Sequence, residues 1–81
     1  MRVARSPRFL RNFSSLPELI QKKFNKQLFY LLSDFRHPSL RTKKFDETQG
    51  IWQARVDDHF RFYFQMDGDI YILVNILPHL D

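Results

Sequence analysis

IWQARV, FRFYFQM and IYILVNI, at residues 51–56, 60–66 and 70–76, are three runs in which large apolar side chains recur at every second position. A period of two belongs to extended strands, because successive side chains point to opposite faces. Asp67-Gly68 between the second and third runs is a strong short hairpin signal. Asp57-Asp58-His59 joins the first two in a tighter connection without glycine. These 26 residues predict a three-stranded antiparallel meander.

Alternation assigns each side chain to a face. Trp52, Ala54 and Val56, then Phe60, Phe62, Phe64 and Met66, then Ile70, Ile72, Val74 and Ile76 form an apolar set that must be covered. The other face is expected to show Gln53, Arg55, Arg61, Tyr63, Gln65, Tyr71, Leu73 and Asn75: polar and aromatic, with two arginines and no carboxylate. Arginine offers a planar fork to phosphate oxygens, tyrosine a stacking surface, and amides a means of reading base edges. An ordinary solvated sheet face is the competing explanation. The lack of Asp and Glu weighs against it and favours an RNA-facing surface free of carboxylates.

Upstream, Arg2–Arg5 reads as a first strand. Ser6-Pro7 fits an N-cap followed by proline at the first helical position, which predicts a short helix from Pro7 to Phe13. Ser14-Ser15-Leu16-Pro17-Glu18 repeats the cap-and-proline pattern. Leu16, Ile20, Phe24, Leu28, Leu31, Leu32 and Phe35 then fall at helical spacing on one side. Phe29 lies on the opposite, polar side, where packing under a loop is expected unless a partner protein covers it. Arg36-His37-Pro38-Ser39 ends the helix, since a residue before proline avoids helical backbone. Lys43–Phe45 is extended or loop, and Asp46–Gly50 is a turn. The expected architecture is α+β, a single domain over residues 1–81, with two helices on one face of a mostly antiparallel sheet.

The formal charge of +4 is unevenly spread. Residues 1–44 hold eleven Lys and Arg against Glu18 and Asp34, a net of +9; the remainder holds Arg55 and Arg61 against seven acids, a net of −5. Such asymmetry suits a polyanionic partner for the basic region, although solvated helix faces explain part of it. No apolar run approaches the roughly 18–20 residues of a membrane span, and the chain has no cysteine. Its Arg- and Ser-rich opening resembles a transit peptide only faintly, and removing it would strip a strand and a helix. A cytoplasmic protein is expected, without disulfides or membrane association.

The two glycines, Gly50 and Gly68, both fall in turns, which excludes a Gly-rich phosphate loop. His37, His59 and His79 are too scattered for a metal site by spacing, and no metal or cofactor is expected. What remains is acid–base and electrostatic chemistry on a phosphodiester. Its arginines would stabilise developing charge, and a histidine such as His79, beyond the last strand, would exchange protons. Lys43 and Lys44 read as phosphate contacts or surface charge, and His37 as structural.

HPSLRTKKF at residues 37–45, GIWQARV at 50–56, FRFYF at 60–64 and NILPH at 75–79 form an ordered set that resembles the RelE/ParE toxin superfamily. The likeness is greatest to its short cytotoxic translational repressors and spans nearly the whole chain. It implies a β-α-α-β-β-β fold, an antitoxin that silences the toxin, and ribosome-dependent cleavage of mRNA. By position it assigns Arg61 to the phosphate, with Arg55 from the preceding strand, and makes His79 the terminal-strand histidine. Lys43 and Lys44 take the places of RNA-gripping residues; Arg41, Gln53 and Tyr63 complete the expected RNA-binding set. The sequence departs from the pattern at Asp57-Asp58-His59, which brings acid near the site, and at Leu77-Pro78, where glycine is usual. Relatives often continue past the histidine with a tyrosine-bearing segment, so proton transfer is expected to rest on His79 alone. A contact inhibitor of a protein such as DNA gyrase, or a decayed antitoxin-binding member, stands as the alternative.

Overall fold

A computed structural model describes residues 1–79. β1 (Arg2–Arg5) leads into α1 (Pro7–Ser14) and α2 (Glu18–Ser33). A 3-10 turn at Pro38–Leu40 precedes β2 (Lys43–Asp46), β3 (Ile51–Arg55), β4 (Phe60–Asp67) and β5 (Ile70–Pro78). The five strands are ordered β1-β5-β4-β3-β2, with only β1 and β5 parallel. The α+β expectation is met, and the segment left between strand and loop, Lys43–Phe45, is the start of an edge strand.

The two helix starts differ. Ser6 caps α1 as expected, its Oγ accepting from the Phe9 N–H at 3.0 Å. No side chain caps α2: Pro17 takes the cap position, and its carbonyl accepts from Ile20 and Gln21 at 3.0 and 3.1 Å. Ser14 and Ser15 donate backwards instead, to the carbonyls of Arg11 and Asn12, a local bond that competes with capping. Both helices cover one face, where Phe9, Phe24, Phe62 and Phe64 are fully buried. Phe24 meets Phe62 edge-on, with ring centroids 5.1 Å apart. Burial of each such ring contributes about 1.5–3 kcal/mol. Leu32 and Phe29 remain exposed, so neither the full predicted stripe nor packing of Phe29 under a loop is realised.

The faces predicted for β5 are corrected along most of its length. Tyr63 pairs with Asn75 and Phe64 with Leu73, which leaves Val74 as an extra residue opposite β4. A bulge of one residue inverts the alternation on one side of it. Tyr71 and Leu73 are therefore in the core rather than on the open face, Ile72 and Val74 are only half-buried, and Met66 at the hairpin end is exposed. Beyond the bulge the expected phase holds, with Ile76 inside and Asn75 outside. Ser6 Oγ donates to the Val74 carbonyl at 2.8 Å, tying the bulge to the start of α1. No helix among the described residues is long and apolar enough to cross a membrane.

Candidate nucleic-acid interface

The meander brings its cations together at one end of the open face. Arg55 on β3 and Arg61 on β4 are direct cross-strand partners, and Lys43 on β2 is paired with Gln53 on β3. Arg41 enters from the end of the 3-10 turn, in left-handed backbone with φ 48°. His79 follows β5, and its N–H donates to the His59 carbonyl at 2.7 Å, holding the strand end against the 57–59 turn. Arg41, Lys43, Gln53, Arg55, Arg61 and His79 line one cleft of about 280 Å³. Six of the eight residues expected from sequence meet there.

The other two lie elsewhere. Lys44 is paired with Trp52, which faces the helices, and its ammonium sits 5.8 Å from the indole centroid. A strand's alternation separates it from Lys43. Tyr63 shares the open face but stands two residues from Arg61, its ring 4.8 Å from Phe45. Burial pushes the Tyr63 phenol above its ordinary value of 10.0, against the opposing pull of Arg61.

The two arginines are held differently. Arg61 donates through Nη1 to the backbone carbonyls of Asp57 at 2.6 Å and Phe60 at 2.9 Å, which fixes the guanidinium without neutralising it. Arg55 is ion-paired with the Asp58 carboxylate, which remains 77% exposed. The expected carboxylate-free hollow is thus corrected: neither guanidinium enters the apolar interior, but one is shared with an aspartate. The cause lies in the glycine-free turn, from which Asp58 reaches back to Arg55 three residues earlier. Asp57 organises that turn by accepting from the N–H groups of His59 and Phe60 at 2.8 and 2.9 Å, and from Lys23 at 3.3 Å. Burial raises its pKa, but these donors outweigh that and hold it below its ordinary 3.8.

Gln27 supports the cleft from behind and was absent from the sequence-based set. Its side chain is buried; Nε2 donates to the carbonyls of Ser39 at 3.1 Å and Arg55 at 2.8 Å, and Oε1 accepts from Ser39 Oγ at 3.2 Å. It clamps α2 to both the 3-10 turn and the end of β3. Its signal was an amide three residues after Phe24 and four before Leu31, inside the apolar stripe. His37 is structural as expected: Nδ1 accepts from the Ser39 N–H at 3.2 Å, and the ring stacks on Tyr30 at 3.8 Å.

A cleft with four cations and one proton-exchanging side chain can bind an anion, stabilise added negative charge on it and protonate a departing oxygen. No protein-family model and no curated protein matches the chain. Among solved structures it is similar to the YoeB dimer from Staphylococcus aureus, at 14% identity and TM-score 0.82 over 99% of this chain and 98% of that one. A YoeB/ParE toxin from Agrobacterium tumefaciens gives 12% identity and TM-score 0.80, over 99% of this chain and all of that one. In the archaeal RelE–RelB complex from Pyrococcus horikoshii the figures are 17% and 0.77, over 95% and 92%. At identities this low the likeness shows the fold alone, which this chain shares with these YoeB and RelE toxins.

Proposed function

From the RelE/ParE-superfamily fold that this chain adopts, we propose that it is the toxin of a toxin–antitoxin pair and an endoribonuclease that cuts messenger RNA on the ribosome. The observation that carries the reading is the direct apposition of Arg55 and Arg61 in a cleft completed by Arg41, Lys43 and His79. Like charges opposite one another on neighbouring strands are destabilising. A phosphodiester entering between them turns that repulsion into two attractions.

In the reaction, a ribose 2′-OH loses its proton to solvent water and attacks the adjacent phosphorus. The bond to the 5′ oxygen breaks as the new one forms, leaving a 2′,3′-cyclic phosphate and a free 5′-OH. Arg61, already oriented by two carbonyls, stabilises the charge that accumulates on the phosphoryl oxygens. Arg55 reinforces it once the phosphate displaces Asp58. His79, just past the end of β5, donates the proton to the departing oxygen. Arg41, Lys43 and Gln53 hold the strand in register. Lys44, turned toward the helix side, has no part in this scheme.

The partner follows by analogy. S. aureus YoeB occurs in a heterotetrameric toxin–antitoxin complex with YefM, and we assign an antitoxin to this chain in the same sense. The test is a reconstituted translation reaction in which mRNA ends are mapped with and without ribosomes. Wild-type protein should produce new ends within open reading frames only when ribosomes are present, and Arg61→Ala should produce none while remaining folded. Intact mRNA with the wild type would overturn the reading; inhibited gyrase in its place would identify a contact inhibitor.

A further inference from the structure

Beside the cationic cleft the open face carries a second cavity of about 210 Å³, formed chiefly by Phe45, Ile51, Tyr63 and Leu77. Arg8, reaching over from α1, is the one charged residue lining it among the described residues. The two cavities are built by the same four strand segments, displaced by two residues. Lys43 and Phe45 come from β2, Gln53 and Ile51 from β3, Arg61 and Tyr63 from β4, and His79 and Leu77 from the end of β5. In each pair the polar residue lines the first cavity and the apolar or aromatic residue the second. Two residues along a strand is about 6.5–7 Å, the separation between a backbone phosphate and the base of a neighbouring nucleotide.

We propose that this second cavity is a nucleobase pocket for the RNA strand whose phosphate lies in the cationic cleft; the inference rests on the RNA reading above and adds base recognition to it. Phe45 and Tyr63 supply the stacking surface. Their rings meet edge to face across β3, with Phe45 still 59% exposed, so a base can lie against it without displacing core residues. An exposed phenylalanine two residues along β2 from Lys43 is poorly placed for a protein core and well placed for a π-face. Asn75 closes one wall. Its Oδ1 accepts from Asn12 at 2.6 Å and from the Ile76 N–H at 2.9 Å, so its orientation is fixed. That leaves its Nδ2 donors, which have no partner among the described residues, to meet an acceptor on the base edge. Arg8 can stack on the base or meet the next phosphate.

The probes are a four-nucleotide 2′-O-methylated oligoadenylate, which resists cleavage, and an abasic ribose-phosphate oligomer of the same length. Binding of both is followed by fluorescence anisotropy. Wild-type protein should prefer the oligoadenylate. Phe45→Ala should weaken oligoadenylate binding at least fivefold, as loss of one base–aromatic stack does, and leave the abasic oligomer unchanged; Phe45→Trp should retain the preference. Arg61→Ala and Lys43→Ala should weaken both probes alike. If Phe45→Ala affects the two probes equally or not at all while Arg61→Ala weakens both, the base pocket is wrong and the RNA reading survives. If the wild type binds neither probe, the base pocket is wrong, and the ribosome-dependent reading is decided separately by the mapped mRNA ends.

Discussion

Arg55, which lines the cationic cleft, is ion-paired with Asp58, three residues further on across the β3–β4 turn. Arg61, directly opposite Arg55, has carbonyls for company and keeps its full charge. The cleft is therefore lined by four cations, one of them already paired with a carboxylate. Because Asp58 is largely exposed, the pair is held weakly and an incoming phosphate can exchange with it.

Replacing that carboxylate should accordingly strengthen RNA binding. Asp58→Asn is expected to lower the dissociation constant for a short RNA by about two- to fivefold, the range of a surface ion pair. Glu18→Gln, remote on α2 and paired with Lys22, makes the same change in net charge and should have a smaller effect. Anisotropy titrations at fixed salt compare the two; equal gains would mean that only bulk charge matters.

Asp57 should behave in the opposite sense, because its carboxylate holds the turn together and its carbonyl orients Arg61. Its pKa in the folded protein lies below the ordinary 3.8. Ionised Asp57 therefore contributes stability that is complete above that value and is lost as pH falls through the lower folded one. Asp57→Asn should be less stable than wild type at pH 7 by about 1–2 kcal/mol, with the gap narrowing as the pH is taken below 3.8. Urea unfolding at pH 7 and pH 3 measures it, and a gap independent of pH would contradict the assignment.

Most of the fold was legible because it depends on periodicity and turn chemistry. The hairpin at Asp67-Gly68, the Ser6 cap and the first strand follow from local rules that the structure obeys. Two features did not follow. Alternation cannot reveal an extra residue in a strand that is apolar throughout, and Ile70–Leu77 is apolar on both phases except at Tyr71 and Asn75, so the bulge at Val74 left no trace. The pairing of Arg55 with Asp58 depends on how a glycine-free turn folds back, which is geometry rather than pattern. Arg55, Arg61 and Gln53 nonetheless share a face through the register of the meander, and Lys43 joins them through the β2–β3 pairing. Lys44 was misplaced because Lys43–Phe45 was not assigned firmly as a strand, and only strand alternation tells the two lysines apart.

Arg41 offers a way to separate stability from function. Its left-handed backbone costs a residue with a Cβ about 1–2 kcal/mol, which glycine does not incur. Part of that gain is offset by the greater freedom of glycine in the unfolded chain. Arg41→Gly should therefore leave the unfolding midpoint unchanged or slightly raised while weakening RNA binding and flattening its salt dependence by about one ion. Thermal melts and titrations at several salt concentrations test both halves. A destabilised but fully binding variant would show that the strain serves the fold and that the guanidinium serves nothing.

Gln27 is the reverse case, a residue that touches no RNA in the proposed scheme yet positions two that do. Its amide satisfies the carbonyls of Ser39 and Arg55 and the hydroxyl of Ser39, and its own side chain is buried. Gln27→Leu keeps the volume and strands those groups, so the protein should lose about 1–3 kcal/mol of stability in urea unfolding. Gln27→Glu keeps the acceptor for Ser39 Oγ but removes the donor to both carbonyls, and should lose a similar amount. At temperatures where each variant remains folded, binding should still fall, because β3 and the 3-10 turn are no longer tied and Arg55 and Arg41 drift apart. The number of ions released should match wild type, since no cation has been removed. A drop in that number would mean that Gln27 acts on the charges themselves rather than on the frame that carries them.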